Sequence, residues 1–308
     1  MKILFDNTSD YPLGPINYLN FSKLENNKEN LLFCYGIHPG YRMPRPDGYK
    51  NNVYFETEEP NGLSKGQLPH ERGNWDLDFW TKIYNICPYS AEWENKVYNT
   101  DKFDSCVYPF DEDLVVDREK DIDVIYVGGL HGHHKIFNKI VNSIKDFNYR
   151  FVSMWNYPLV TDINVNWDTK MDLWARSKIS VCANLLSENT PGEYSPHMKK
   201  LPRWEENKAL SHVDEGLLPQ MKPRITDAAM SKSLILILRD PWNVIETWFE
   251  PDKHFIYYDS FEELPGKIQW CLDNWDECEK IADNMFKEYL DKHTTKKYYE
   301  RLLKEFDE

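Results

Sequence analysis

The 308-residue sequence predicts an α/β protein of two parts, the N-terminal one the smaller, with a nucleotide-binding parallel sheet in the second. Three observations carry that expectation. Short apolar runs alternate with longer amphipathic stretches along the chain. A charged connector, Phe110 to Asp121, interrupts the alternation. Beyond it, Asp123–Val127, the turn Gly128-Gly129 and an amphipathic stretch read as strand, tight turn and helix, which is how a nucleotide-binding sheet opens.

In the first half, strands are predicted at Lys2–Asp6, Leu31–Tyr35 and Val53–Glu56, with Met1–Asp6 read as a strand and not as a signal peptide. A helix is predicted at Leu77–Ile86, a break at Cys87-Pro88-Tyr89-Ser90, a helix at Ala91–Asn99 with Ser90 as its N-cap, and a short strand within Phe103–Pro109. Loops rich in Pro, Gly and Asn at 36–52 and 57–75 are long for a compact domain and are expected to carry recognition. The connector sets a boundary between residues 118 and 119. In the second half, strands are predicted at Asp123–Val127, Tyr149–Met154, Ile179–Ala183, Leu234–Leu238 and His254–Tyr258. Helices are predicted at His134–Lys145, Lys170–Arg176, Pro223–Ser231, Phe261–Asp273, Asp276–Leu290 and Thr295–Phe306, with 187–221 as a polar, Pro-containing insertion.

Composition narrows the function. The net charge is −14, and residues 1–118 and 119–308 each carry −7. A nonspecific binder of nucleic acid or of an anionic membrane needs a positive face, so neither partner is expected. The longest purely aliphatic run, Leu234–Leu238, is far too short to span a bilayer, so no integral membrane association is expected. Six scattered cysteines without a C-x-x-C pair read as reduced, buried thiols of a cytoplasmic protein. The aromatic share of 15% suits binding of sugars or flat rings, and equally the filling of a core.

Lys222-Pro223-Arg224-Ile225-Thr226-Asp227 carries the strongest chemistry. Pro223 fits the first helical turn, where a missing N–H costs nothing. The free amides of that turn and the helix dipole favour a diphosphate, and Lys222 and Arg224 flank it. Val127-Gly128-Gly129-Leu130-His131-Gly132-His133-His134 is a Gly-rich turn after a strand, which lets the backbone approach a phosphate or sugar. Its histidines lack a neighbouring Cys or carboxylate to complete a zinc site, so His131 and His134 are read as phosphate contacts or as a solvated turn. Three D-x-D matches (Asp76/Asp78, Asp111/Asp113, Asp121/Asp123) are expected by chance in so acidic a chain, and no metal site is assigned.

The run from residue 220 to residue 303 resembles the donor-binding half of glycosyltransferases of the two-domain GT-B fold, in particular the group-1-like and CgeB-like families. The likeness rests on Arg224, on Asp227-Ala228 opening a helix, and on the strand after it. It continues through Phe249-Glu250-Pro251, Tyr258-Asp259, Glu262-Glu263-Leu264 and His293-Thr294. It implies two Rossmann-like domains facing a cleft: a small acceptor-side domain at 1–118, a donor-binding domain at 119–285, and a C-terminal helix at 286–308 that packs back on the first. It implies transfer of a sugar from a nucleotide-diphosphate sugar to a hydroxyl of a glycan or other acceptor, without a metal or other cofactor. Asp227 would orient the ribose. Lys222, Arg224, Thr226, Gly128, Gly129, His131, His134 and Asn184 complete the candidate donor set. The family's Glu-x7-Glu is replaced here by Pro219 and Asp227.

Tyr54-Phe55-Glu56-Thr57-Glu58-Glu59-Pro60 follows a predicted strand and resembles the Glu-Ser-Pro segment of family 10 fucosyltransferases, whose Glu is proposed as base. On that likeness Glu58 is the candidate base, with Glu56 and Glu59 behind it; a solvated acidic loop is the alternative. Other readings of the chain are a non-catalytic nucleotide-sugar or glycan-binding protein of the same fold, and a DNA-base glucosyltransferase. An epimerase or dehydrogenase is disfavoured because the dinucleotide fingerprint is missing after Lys2–Asp6.

Overall fold

The computed structural model describes residues 2–5, 19, 20, 23, 31–36, 47–56, 75–128, 134–187, 196, 198–210 and 217–307. The first sheet has five parallel strands in the order β1 (Lys2–Phe5), β2 (Leu31–Gly36), β3 (Asn51–Glu56), β4 (Lys82–Asn85) and β5 (Phe103–Ser105). Helix α1 (Pro88–Tyr98) connects β4 to β5. The second sheet has six strands: β6 (Ile122–Val127), β7 (Tyr149–Ser153), β8 (Asp162–Ile163), β9 (Ser177–Ala183), β12 (Leu234–Leu238) and β13 (Ile256–Tyr258). Their order in space is β13-β12-β9-β6-β7-β8, all parallel. This is the doubly wound order, which reverses between β6 and β9, where such sheets bind their ligands. A two-stranded antiparallel pair, β10 (Leu185–Ser187) and β11 (Leu217–Pro219), leaves the end of β9.

Apolar residues on both faces explain why these strands are central. In β12, Leu234, Leu236 and Leu238 face one core while Ile235 and Ile237 face another. In β3, Val53 and Phe55 face the same core as Ile235, and Tyr54 faces the outer layer with Trp75 and Trp80. One continuous core therefore joins the inner faces of both sheets. The helices of the second half are α2 (His134–Ile144), α3 (Trp167–Arg176), the short α4 (Trp204–Asn207), α5 (Pro223–Met230), α6 (Leu264–Asp273), α7 (Trp275–Lys292) and α8 (Thr295–Asp307). Helix α8 crosses to the first sheet, where Tyr299 packs on Phe33 at 6.3 Å, Tyr298 on Phe55 at 6.0 Å, and the Tyr84 hydroxyl bonds Glu305 at 3.1 Å. The join is clamped by a bridge between Phe110 and Thr294. Among the described residues no helix is long and apolar enough to cross a membrane. All six cysteines are free and buried.

Three local expectations are corrected. Residues 77–86 do not form a helix: a turn capped by Asp76, whose carboxylate and carbonyl accept from Phe79 N, leads into strand β4. Trp80 and Ile83 mimic a helical repeat, but Ile83 and Tyr84 are fully buried between β3 and β5, and that pairing overrides the local pattern. Helix α1 begins at Pro88 with Cys87 as N-cap, and Ser90 lies inside the helix and is buried. The insertion at 187–221 holds order of its own: β11, α4 and a 3-10 turn at Met198–Lys200.

Candidate donor site

The site forms where the carboxyl ends of β6 and β9 meet the start of α5. Asn184 follows β9 and is fully buried. Its side-chain carbonyl accepts from Lys222 N at 3.1 Å, its amide donates to Met221 Sδ at 3.1 Å, and its backbone carbonyl accepts from Gln220 N at 2.9 Å. Lys222 is the N-cap residue, with no side-chain cap of its own and Pro223 next. Asn184 thus fixes how the chain enters the helix, and it acts from inside the protein. The Lys222 ammonium contacts the carbonyl of buried Gln220.

Arg224 and Gly128 come together although 96 residues separate them in sequence. Arg224 Nη1 donates to the Tyr126 hydroxyl at 3.4 Å, and its guanidinium lies 5.6 Å from the Tyr126 ring centroid. A Cβ built on Gly128 would stand 3.0 Å from Arg224 Nη2 and 3.0 Å from the Tyr126 hydroxyl oxygen. The glycine is therefore the space the guanidinium needs. Burial pushes the Tyr126 hydroxyl up to about 12, with Arg224 opposing, so the phenol stays protonated at neutral pH.

Asp227 is 2% exposed and pairs with Lys170 Nζ of α3 at 3.2 Å. Lys170 in turn lies 3.8 Å above the Trp167 ring. Asn166 caps α3 by accepting from Thr169 N at 2.8 Å, which sets Trp167 and Lys170 on the turn facing α5. Thr226 is also buried. Its hydroxyl donates to the Tyr108 carbonyl at 3.1 Å and so accepts from the Tyr289 hydroxyl at 2.8 Å. It joins the two halves from within, which departs from a direct donor contact.

The first sheet presents its carboxyl ends to the same region. Met221 N donates to the Ile86 carbonyl at 3.4 Å, and the Tyr89 hydroxyl donates to the Trp242 carbonyl at 2.7 Å. Glu56 ends β3, is 1% exposed and stands opposite Asn85 of β4. Glu58, Glu59, Gly129 and His131 lie outside the described residues, and His134 is described only as the first residue of α2. Among the described residues no three His, Cys, Asp or Glu side chains gather as metal ligands. Sequence reasoning missed Tyr126, two residues before Gly128 on the same face of β6, and Lys170, whose partner lies 57 positions away. The alternation of β6 was the available signal for Tyr126; Lys170 offered none.

The arrangement can hold a diphosphate. The positive end of α5 combines with Lys222 and Arg224, and Gly128 admits close approach.

Residues 203–304 match the model of a family described as glycosyl transferase-like. No curated protein matches the chain. Among solved structures, the chain is similar to Anabaena HepE in complex with UDP (TM-score 0.61, 10% identity, 100% of this chain and 100% of that one). It is also similar to TarM (TM-score 0.57, 8% identity, 95% of this chain) and spans only 58% of the TarM chain. A third likeness is to an alpha-glucosyltransferase in complex with UDP-glucose and DNA containing an abasic site (TM-score 0.54, 10% identity, 95% of this chain and 84% of that one). At these identities the likeness defines the fold, which is that of the GT-B glycosyltransferases, and the family match places a glycosyl transferase-like segment from the start of α4 into α8.

Proposed function

We infer that the chain transfers a sugar from a nucleotide-diphosphate sugar to a hydroxyl of a glycan or other acceptor, without a metal. The observation that carries this reading is the convergence of Arg224, Gly128 and the Lys222–Pro223 helix start at the switch point of the second sheet. Negative charge builds on the diphosphate as the glycosidic bond breaks, and fixed cations and helix amides lower that barrier. Structural neighbours bearing UDP or UDP-glucose make UDP the first nucleotide to test. A carboxylate at or just beyond the end of β3 serves as base: Glu58, with Glu59 and the strand's last residue, Glu56, as the neighbouring choices. Titration with UDP, GDP, CMP, dTDP, ADP and NAD checks the donor assignment. Selective binding of one nucleoside diphosphate supports it; binding of NAD alone sinks it.

One observation favours a second reading, a binding protein of this fold without turnover. Asp227 is almost inaccessible and is already paired with Lys170. Incubation with UDP-glucose separates the two readings: release of UDP as the glucosyl group passes to water or to an acceptor hydroxyl is expected of an enzyme and absent from a binder.

A further inference from the structure

In a chain of net charge −14, the segment at 198–210 carries four basic residues and two acidic ones. Arg203 is tied to Glu206 at 2.8 Å and Glu246 at 3.4 Å, and Lys208 to Glu205 at 2.5 Å. Lys199 and Lys200 are exposed, and neither side chain has an ion-pair or hydrogen-bond partner among the described residues.

Their backbone is nevertheless firmly held. Met198, one residue earlier, is fully buried against Trp93 of α1, Trp204 of α4 and Trp242. Trp242 Nε1 donates to the Met198 carbonyl at 3.0 Å, and its ring stacks on Trp204 at 5.6 Å. Arg203 sits at φ 68°, a left-handed conformation that costs a non-glycine residue energy and persists only where its surroundings impose it. Trp93 belongs to the first half, and Trp242 to the loop at the carboxyl end of β12. The two lysines therefore stand on a platform that bridges both halves at the ends of the strands, on the excursion that leaves β9 and returns to α5.

We propose that Lys199 and Lys200 form an acceptor subsite for an anionic glycan, one bearing sulfate, phosphate or carboxylate groups. The inference rests on the transfer reading above and names the acceptor class of that site. Two ammonium groups on a fixed turn, without a partner among the described residues, suit one or two anionic groups of a sugar chain. Duplex nucleic acid is held through a longer series of phosphate contacts and would be repelled by the acidic remainder of the surface.

The test uses the full chain, with a heparin-derived sulfated pentasaccharide, a neutral maltopentaose and a short DNA duplex as probes, each titrated with and without UDP. The sulfated glycan is expected to bind best. Its log affinity should fall with log salt at a slope of roughly −1.4, taking ~0.7 per neutralised charge. K199A/K200A should weaken it about 10- to 100-fold, the size of losing charged hydrogen bonds, and leave UDP affinity unchanged. K199R/K200R should retain it. Equal or better binding of maltopentaose, tightest binding of DNA, or an unchanged affinity in K199A/K200A would each overturn the assignment. Failure of the wild-type protein to bind any nucleotide would instead sink the transfer reading, and the anion subsite would then be judged on the sulfated-glycan titration alone.

Discussion

The Arg224 guanidinium has its place because a glycine stands beside it. Truncating it, Arg224→Ala, is expected to weaken UDP binding by about 10- to 100-fold, the range for a charge-assisted contact, and calorimetry would show it; unchanged affinity would remove the helix start from the donor site. Gly128→Ala would place a methyl carbon 3.0 Å from the guanidinium. The expected outcome is a fold intact by circular dichroism with a donor affinity lowered in the same direction. Lys170 and Asp227 behave as a unit. Lys170→Met leaves a buried carboxylate without its cation, a change that costs about 3–5 kcal/mol in buried pairs, whereas Lys170→Met with Asp227→Asn should recover most of the loss in a urea denaturation series. A full loss in the double variant would mean the pair does not hold α3 to α5.

At the level of elements, the loop after β12 is built around one buried carboxylate. Asp240 accepts from Trp242 N at 2.9 Å and from Val244 N at 3.0 Å. Burial still wins over those bonds and pushes the carboxyl up to about 7. A raised carboxylate binds its proton more tightly folded than unfolded. Its contribution is therefore whole below the ordinary carboxylate range and is lost as pH rises toward 7. The stability difference between the wild type and Asp240→Asn should accordingly fall for the wild type between pH 4 and pH 7 (~3 units, the gap between the ordinary and raised values). Urea midpoints across that range would show it, and a flat difference would mean the carboxylate is ionised throughout. The same loop carries Trp242, the centre of the tryptophan cluster. Trp242→Ala should cost about 3–5 kcal/mol and expose the segment at 198–210 to limited proteolysis.

For the whole molecule, the central strands of the second sheet were legible because apolarity on both faces leaves one solution, a strand buried in a parallel sheet. The predicted strand Leu234–Leu238 coincides with β12, and the predicted strand Ile179–Ala183 lies within β9, which begins two residues earlier at Ser177. The stretch before Cys87 was not legible: Ile83 and Tyr84 become a strand only because β3 and β5 are there to pair with them. The candidate site divides in the same way. Lys222, Pro223 and Arg224 announce a helix start locally, whereas Tyr126, Lys170 and the inward roles of Asn184 and Thr226 depend on distant partners. Ligand binding at the switch point should stabilise the joined core as one body. UDP at a hundred times its dissociation constant would add about 2.7 kcal/mol, read as a single shifted melting transition; two transitions, one of them unmoved, would mean that the halves unfold separately.

The return of α8 to the first sheet sets an order of events at the ribosome. Phe33, Phe55 and Tyr84 emerge early, but the tyrosines that cover them come from residues 298 and 299. Until those tyrosines arrive, Phe33, Phe55 and Tyr84 lack the ring contacts that α8 gives them. A premature stop before Thr295 would therefore strike at the opposite end of the message from where it falls, stripping the first sheet of the ring and hydrogen-bond contacts of α8.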